Sequence, residues 1–132
     1  MIEKEFITYA EYGYLLNQLV KKIEQENFFK KLLFIYGIQR GGLPIAVHLS
    51  HYLNLPLSDR LNIFTPADTI LIVDDIAHTG ETLKEYASLG YITTTLYYKK
   101  QSIVKPNVYI LETNKWIVFP WEKPEEVQNR PD

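Results

Sequence analysis

The run Thr69-Ile70-Leu71-Ile72-Val73 stops on two adjacent aspartates, Asp74 and Asp75, and Ile76-Ala77-His78-Thr79-Gly80-Glu81-Thr82 follows. An unbroken apolar and β-branched run of this length reads as a strand buried in a sheet. The turn at Gly80 then opens a helix over 81–88, closed by Gly90. The same succession occurs earlier in the chain. Leu32-Leu33-Phe34-Ile35-Tyr36 reads as a strand buried on both faces, Gly37-Ile38-Gln39-Arg40-Gly41-Gly42 as a loop, and 43–54 as a helix with Pro44 in its first turn. Strand, loop and helix twice over predict an α/β domain, a mainly parallel sheet flanked by helices.

The other elements fit around that frame. Thr8 and Glu11 have capping-box spacing, and Tyr12, Leu15, Leu16, Leu19 and Ile23 recur at helical intervals, so 8–26 reads as an amphipathic helix. The stretch 55–68 is short, and its patch Leu61-Asn62-Ile63-Phe64 reads as one brief strand. Further strands are expected over 92–98, 108–111 and 116–119, and 122–132 reads as a polar tail. At 132 residues the chain fits a single domain, 1–132.

Composition removes several function classes. Without cysteine there is no thiol nucleophile, disulfide or zinc ribbon. Lys plus Arg number 14 against 16 Asp plus Glu, a formal net charge of -2 that argues against nucleic acid as the partner. No apolar run of about 18 residues suggests a membrane span, and the opening Met-Ile-Glu-Lys-Glu-Phe does not resemble a signal peptide. A cytoplasmic protein is expected. His48 and His51 have i, i+3 spacing, but with no third ligand nearby the helix face explains them better than a metal does.

Ligands of open parallel sheets bind beyond the carboxyl ends of the strands, and both loops lie there. Adjacent carboxylates repel, so Asp74 and Asp75 suggest a partner that needs both, a divalent cation or sugar hydroxyls. The helix amides after Gly80, with the hydroxyls of Thr79 and Thr82, suit a phosphate. A helix cap would explain one acid and one threonine but not the whole set. In the first loop, Arg40 with Gly41 and Gly42 suits an anion, although a glycine turn beside a surface arginine is common. Facing one another, the two loops suit a sugar diphosphate held with magnesium.

Residues 70–83, Ile-Leu-Ile-Val-Asp-Asp-Ile-Ala-His-Thr-Gly-Glu-Thr-Leu, resemble the phosphoribosyl pyrophosphate (PRPP) motif of the type I phosphoribosyltransferases. Residues 36–43 resemble that family's pyrophosphate loop. Lys99 and the segment 116–122, Trp-Ile-Val-Phe-Pro-Trp-Glu, resemble the base-binding part of its small xanthine–guanine–hypoxanthine branch. The resemblance implies that Asp74 and Asp75 contact the ribose hydroxyls directly or through Mg2+, and that 77–82 (Ala77, His78, Thr79, Gly80, Glu81, Thr82) hold the 5-phosphate. It implies that Gln39, Arg40 and Gly41 hold the pyrophosphate, across an unusual cis peptide. The purine would stack on Trp116, with the Ile117 backbone reading its edge and Lys99 donating to a 6-oxo group. The implied activity is transfer of the phosphoribosyl group from PRPP to guanine, xanthine or hypoxanthine in nucleotide salvage, by a dimer. Asp74, Asp75, His78 and Arg40 are the catalytic candidates, and Asp75 and Asp74 the metal ligands.

The chain departs from the family pattern twice. His78 stands where 6-oxopurine enzymes carry an aspartate near purine N7; it either takes over that proton or is incidental. The stretch between the motifs is also short for the mobile hood that family members place there. These departures motivate a second reading, a catalytically weak PRPP- or nucleotide-binding regulatory protein of the same fold. A transferase for another acceptor, such as a pyrimidine, is a third, against which Trp116 and Lys99 argue.

Overall fold

In the computed structural model, residues 3–123 are described; of the polar tail expected over 122–132, all but its first two residues lie outside them. Helix α1 (Tyr9–Gln25) follows the N-cap Thr8, whose side chain accepts from the Glu11 N–H while the Glu11 side chain accepts from the Thr8 N–H, a complete capping box. Tyr12, Leu15, Leu16, Leu19, Val20 and Ile23 form its buried stripe. Helix α2 (Gly42–Leu53) ends where Asn54 turns left-handed, φ 55°. Helix α3 (Glu81–Ser88) follows Gly80, itself left-handed at φ 86°.

Among the described residues eight short strands pair in parallel throughout. Strands β2 (Phe34–Gly37), β3 (Ile70–Val73) and β5 (Ile92–Thr94) form one sheet with β3 central. Strands β4 (Ile76–Ala77), β6 (Tyr97–Tyr98) and β7 (Leu111–Glu112) form a second. Strand β1 (Lys4–Phe6) pairs with β8 (Trp116–Val118). Because β3 is covered on both faces, its side chains alternate between two cores. Leu71 and Val73 join the cluster with α1 and α2, and Ile70 and Ile72 the cluster with Leu83 of α3. No described helix is long and apolar enough to cross a membrane.

Several expectations need correction. Strand β2 starts at Phe34, after a 3-10 turn at Asn27–Lys31, and is buried on one face only, with Ile35 and Gly37 buried and Phe34 and Tyr36 half-buried. Thr69 belongs to another 3-10 turn, Ala67–Thr69. Leu61-Asn62-Ile63-Phe64 is no strand: the Asn62 side chain accepts from the Phe64 N–H, and Ile63 and Phe64 are 90% and 87% exposed. Asparagine's local bond substitutes a turn for the ladder. The expected strand 92–98 is two, β5 and β6, separated at Thr95 and Leu96. Strand pairing over 108–111 is likewise a bridge from Val108 to Thr94 followed by β7. Strand β1 is additional to the expected elements.

Candidate active site

The break between the two larger sheets makes the site. Strand β3 stops at Val73, Asp74 and Asp75 bend the chain, and it resumes as β4. The acids are therefore at a kink between strands rather than past the end of one. Across the kink, the Asp74 N–H donates to the Thr94 carbonyl (3.1 Å), and the Leu96 and Tyr97 N–H groups both donate to the Asp75 carbonyl (3.2 and 3.3 Å). Both acid side chains are buried. Asp74 Oδ1 accepts from the Asp75 N–H (2.9 Å) and Asp75 Oδ1 from the Ile76 N–H (2.8 Å), which fixes the carboxylates' orientation. Neither acid is the cap of α3, whose N-cap is Gly80.

The first loop closes directly onto these acids. The Ile38 N–H donates to the Val73 carbonyl at 2.9 Å, tying the loop to the end of β3. The Gln39–Arg40 peptide is cis. At Gly41 an added Cβ would run into the Asp75 carboxylate, and at Gly42 into the Val73 carbonyl and the Asp74 backbone. Glycine is required here for close approach, and that approach puts the Arg40 loop against Asp75. Gln39 and Arg40 are exposed.

The second loop runs over 77–82. Ala77 and His78 are buried and Thr79 is exposed, its Oγ1 accepting from the Glu81 N–H at 3.3 Å. Glu81 and Thr82 open α3. Gly80 is pressed against Ser102, Ile103 and Val104, and the Ile103 N–H donates to the Thr79 carbonyl at 2.7 Å. This backing segment was not singled out from sequence; Gly80 was the one available hint of a close approach. Tyr36 and Tyr86 lie with ring centroids 6.3 Å apart. Burial first, then Tyr36 and the charges of Glu85 and Asp74, push the Tyr86 hydroxyl pKa above the ordinary tyrosine value.

Lys99 and Trp116 meet His78 from different parts of the chain. Strand β4 pairs Ala77 with Tyr98, and the Lys99 N–H donates to the Ala77 carbonyl at 3.1 Å. The next step of that register sets His78 beside Lys99, which is 3% exposed. The His78 ring stacks on Trp116 with centroids 4.7 Å apart and planes 25° from parallel, and Lys99 Nζ lies 5.1 Å from the Trp116 centroid. Strand β1 holds this wall. The Trp116 N–H donates to the Glu3 carbonyl and the Ile7 N–H to the Val118 carbonyl, so in a parallel ladder the Ile117 N–H and C=O point away from β1.

Hard oxygen ligands at Asp74 and Asp75, next to a loop suited to a diphosphate, fit Mg2+, which binds one or two carboxylates together with substrate phosphates. Among the described residues no three His, Cys, Asp or Glu side chains gather as a protein-only metal cage. His48 instead engages the Tyr12 hydroxyl through Nδ1 at 2.6 Å, bridging α2 to α1.

Neither a protein-family model nor a curated protein sequence matches the chain. Solved structures do. A purine phosphoribosyltransferase from Pyrococcus horikoshii is 32% identical over 92% of this chain and 95% of its own, with a TM-score of 0.72. The xanthine–guanine–hypoxanthine phosphoribosyltransferase of Helicobacter pylori is 19% identical over 98% of this chain and 99% of its own, with a TM-score of 0.79. A hypothetical protein of Neisseria gonorrhoeae, solved with bound ppGpp, is 19% identical over 98% and 96%, with a TM-score of 0.72.

Proposed function

The chain belongs to the type I phosphoribosyltransferase family, in its purine branch, and on that premise we propose that it transfers the 5-phosphoribosyl group of PRPP to a 6-oxopurine, releasing pyrophosphate. The observation that carries the reading is the close approach of Gly41 to the Asp75 carboxylate, too close for a side chain, which brings the loop suited to a diphosphate onto the paired acids.

In this reading Asp74 and Asp75 hold the ribose hydroxyls and, with the diphosphate, Mg2+. Bound there, the cation supplies charge neutralisation for the leaving pyrophosphate. Arg40, with Gln39 and Gly41, orients that group and takes up its growing charge. Backbone N–H groups of 77–82 and the Thr79 and Thr82 hydroxyls fix the 5-phosphate at the start of α3. Gly80 and Glu81 shape the turn. The carbon–oxygen bond at ribose C1 breaks as a purine nitrogen attacks, so orientation and water exclusion matter more than any covalent intermediate. Trp116 provides the stacking face, Lys99 donates to the 6-oxo oxygen, and the outward N–H and C=O of Ile117 meet the base edge. An ammonium at that position favours an oxo over an amino substituent, because adenine would leave the buried lysine facing a donor. By its position in the PRPP motif, His78 would take up the purine N7 proton once the base has entered. We place this chemistry on free bases in the cytoplasm, in a homodimer.

The test is a product assay with PRPP and Mg2+ in which guanine, xanthine, hypoxanthine, adenine and uracil are offered separately. Nucleotide should form from at least one oxopurine and disappear in Asp75→Ala. No product from any base, with PRPP still binding, would replace this reading with that of a nucleotide-binding regulatory protein.

A further inference from the structure

Trp116, the ring on which the reading above stacks the base, already carries another ring. The His78 imidazole lies on it at a centroid distance of 4.7 Å, nearly parallel. Lys99 Nζ approaches the same indole at 5.1 Å. Because His78 and Lys99 follow the paired residues Ala77 and Tyr98, their side chains leave the sheet on the same face. They therefore leave the sheet as neighbours, and both side chains end against the Trp116 indole.

Stacked rings need about 3.5–4 Å between them, so a purine sandwiched between His78 and Trp116 would require a separation of about 7 Å. At 4.7 Å nothing fits between. A base on the opposite face of Trp116 would have the indole between itself and His78, the residue that the strand register sets beside Lys99. A purine that both stacks on Trp116 and meets Lys99 thus needs the place that His78 holds. Histidine suits such a place: it stacks well enough to cover the indole, yet its imidazole enters water at far smaller cost than a phenylalanine or leucine.

We propose that His78 is the residue that sets access to the base subsite, acting through Trp116 by covering its stacking face until a purine displaces it. This rests on the assignment of Trp116 and Lys99 to the base. The exchange also discriminates. A two-ring purine offers Trp116 more surface than the imidazole it replaces, whereas a single-ring pyrimidine offers about the same and gains little.

The test compares His78→Ala and His78→Ser, which uncover the indole, with His78→Phe, which keeps a ring on it. Calorimetry gives the dissociation constants of hypoxanthine, guanine and uracil, and initial rates with saturating PRPP and Mg2+ give KM apart from kcat. An aromatic pair of this kind biases an equilibrium by a factor of about two to ten. The two small variants should bind hypoxanthine tighter by about that factor, with the gain in KM even where kcat falls. Their preference for hypoxanthine over uracil should narrow, and His78→Phe should bind hypoxanthine no better than the native protein. A merely structural histidine would weaken every ligand when removed. If the native protein binds hypoxanthine and neither small variant binds it tighter, the covering role is wrong while the base assignment stands. If PRPP binds but no purine binds to any form, the base assignment fails and takes this proposal with it.

Discussion

The residues proposed to hold the ribose and its 5-phosphate arrive on one continuous stretch, 74–82, and the first loop leans on that stretch through Gly41 and Gly42. The residues proposed for the base come from three stretches, His78 after β4, Lys99 after β6 and Trp116 on β8. Parallel pairing and the remote strand β1 bring those three together. The phosphate side is thus held by local backbone and glycine contacts, with its acids locked by their neighbours' N–H groups. The base side is held by side chains resting on one another. A rigid charge-binding half beside an adjustable stacking half would let the base contacts vary while the sugar–phosphate chemistry stays constant.

The largest expected effect strikes the rigid half. Asp75→Ala removes a carboxylate that both the first loop and the proposed Mg2+ would face. Magnesium-dependent PRPP binding should fall by about a hundredfold or more, in keeping with loss of a charge-assisted contact at a phosphate site. The cooperative melt should survive, and calorimetry with PRPP and Mg2+ measures the loss. A folded variant that binds PRPP as before would break the comparison at its stronger end.

Trp116→Ala comes next and tests whether the halves are separable. Stacking on an aromatic side chain contributes about 1–3 kcal/mol per base, or about five- to hundredfold in affinity. Hypoxanthine KM should rise within that range while PRPP binding changes by less than about twofold on the same scale. The reverse ranking would move the base pocket elsewhere.

Gly42→Ala asks how rigid the phosphate half is. The new Cβ would lie 2.8 Å from the Asp74 Cα and closer still to the Val73 carbonyl, both backbone atoms of the strand end and its kink. Backbone cannot rotate away as a side chain can, so the fold should lose about 1–3 kcal/mol, the usual cost of overpacking. Urea denaturation reads that loss. A neutral result would show that the loop slides freely over β3.

The two halves also differed in how far they could be read from sequence. The acids, Gly80 and Thr82 are neighbours in the chain, and a strand, a turn and a helix start are enough to give them a shared location. The helix 8–26 was legible for the same reason, since its cap and stripe are local. The pairing of β1 with Trp116–Val118 was not: Lys4, Glu5 and Phe6 show no alternation long enough to count, and their partners lie far along the chain. The division of 92–98 was hidden because Thr93, Thr94, Thr95, Leu96 and Tyr97 are all buried, so nothing in their polarity marks the break. Ile63 and Phe64 misled in the other direction, as apolar residues on a turn set by Asn62. What sequence left unread on the base side was the contact itself, His78 lying on Trp116, because that depends on strand register.

The smallest expected effect concerns what lies under the adjustable half. Tyr97 sits on β6, two residues before Lys99, with its ring against Phe119 in an edge-on arrangement, centroids 6.0 Å apart. Burial, with smaller contributions from Glu5 and Glu11, raises its hydroxyl pKa to about 12. The folded state therefore favours the neutral phenol. Its contribution to stability is fully present below the unfolded tyrosine pKa of about 10 and is lost as pH rises towards about 12. Between pH 9 and pH 11.5 the urea midpoint should fall. The fall should be smaller in Tyr97→Phe, which keeps the ring and has no proton to lose, and the difference between the two proteins isolates this group from the other tyrosines and lysines that titrate in the same range. If the variant loses as much stability as the native protein, the packing of β6 against Phe119 does not depend on a neutral Tyr97.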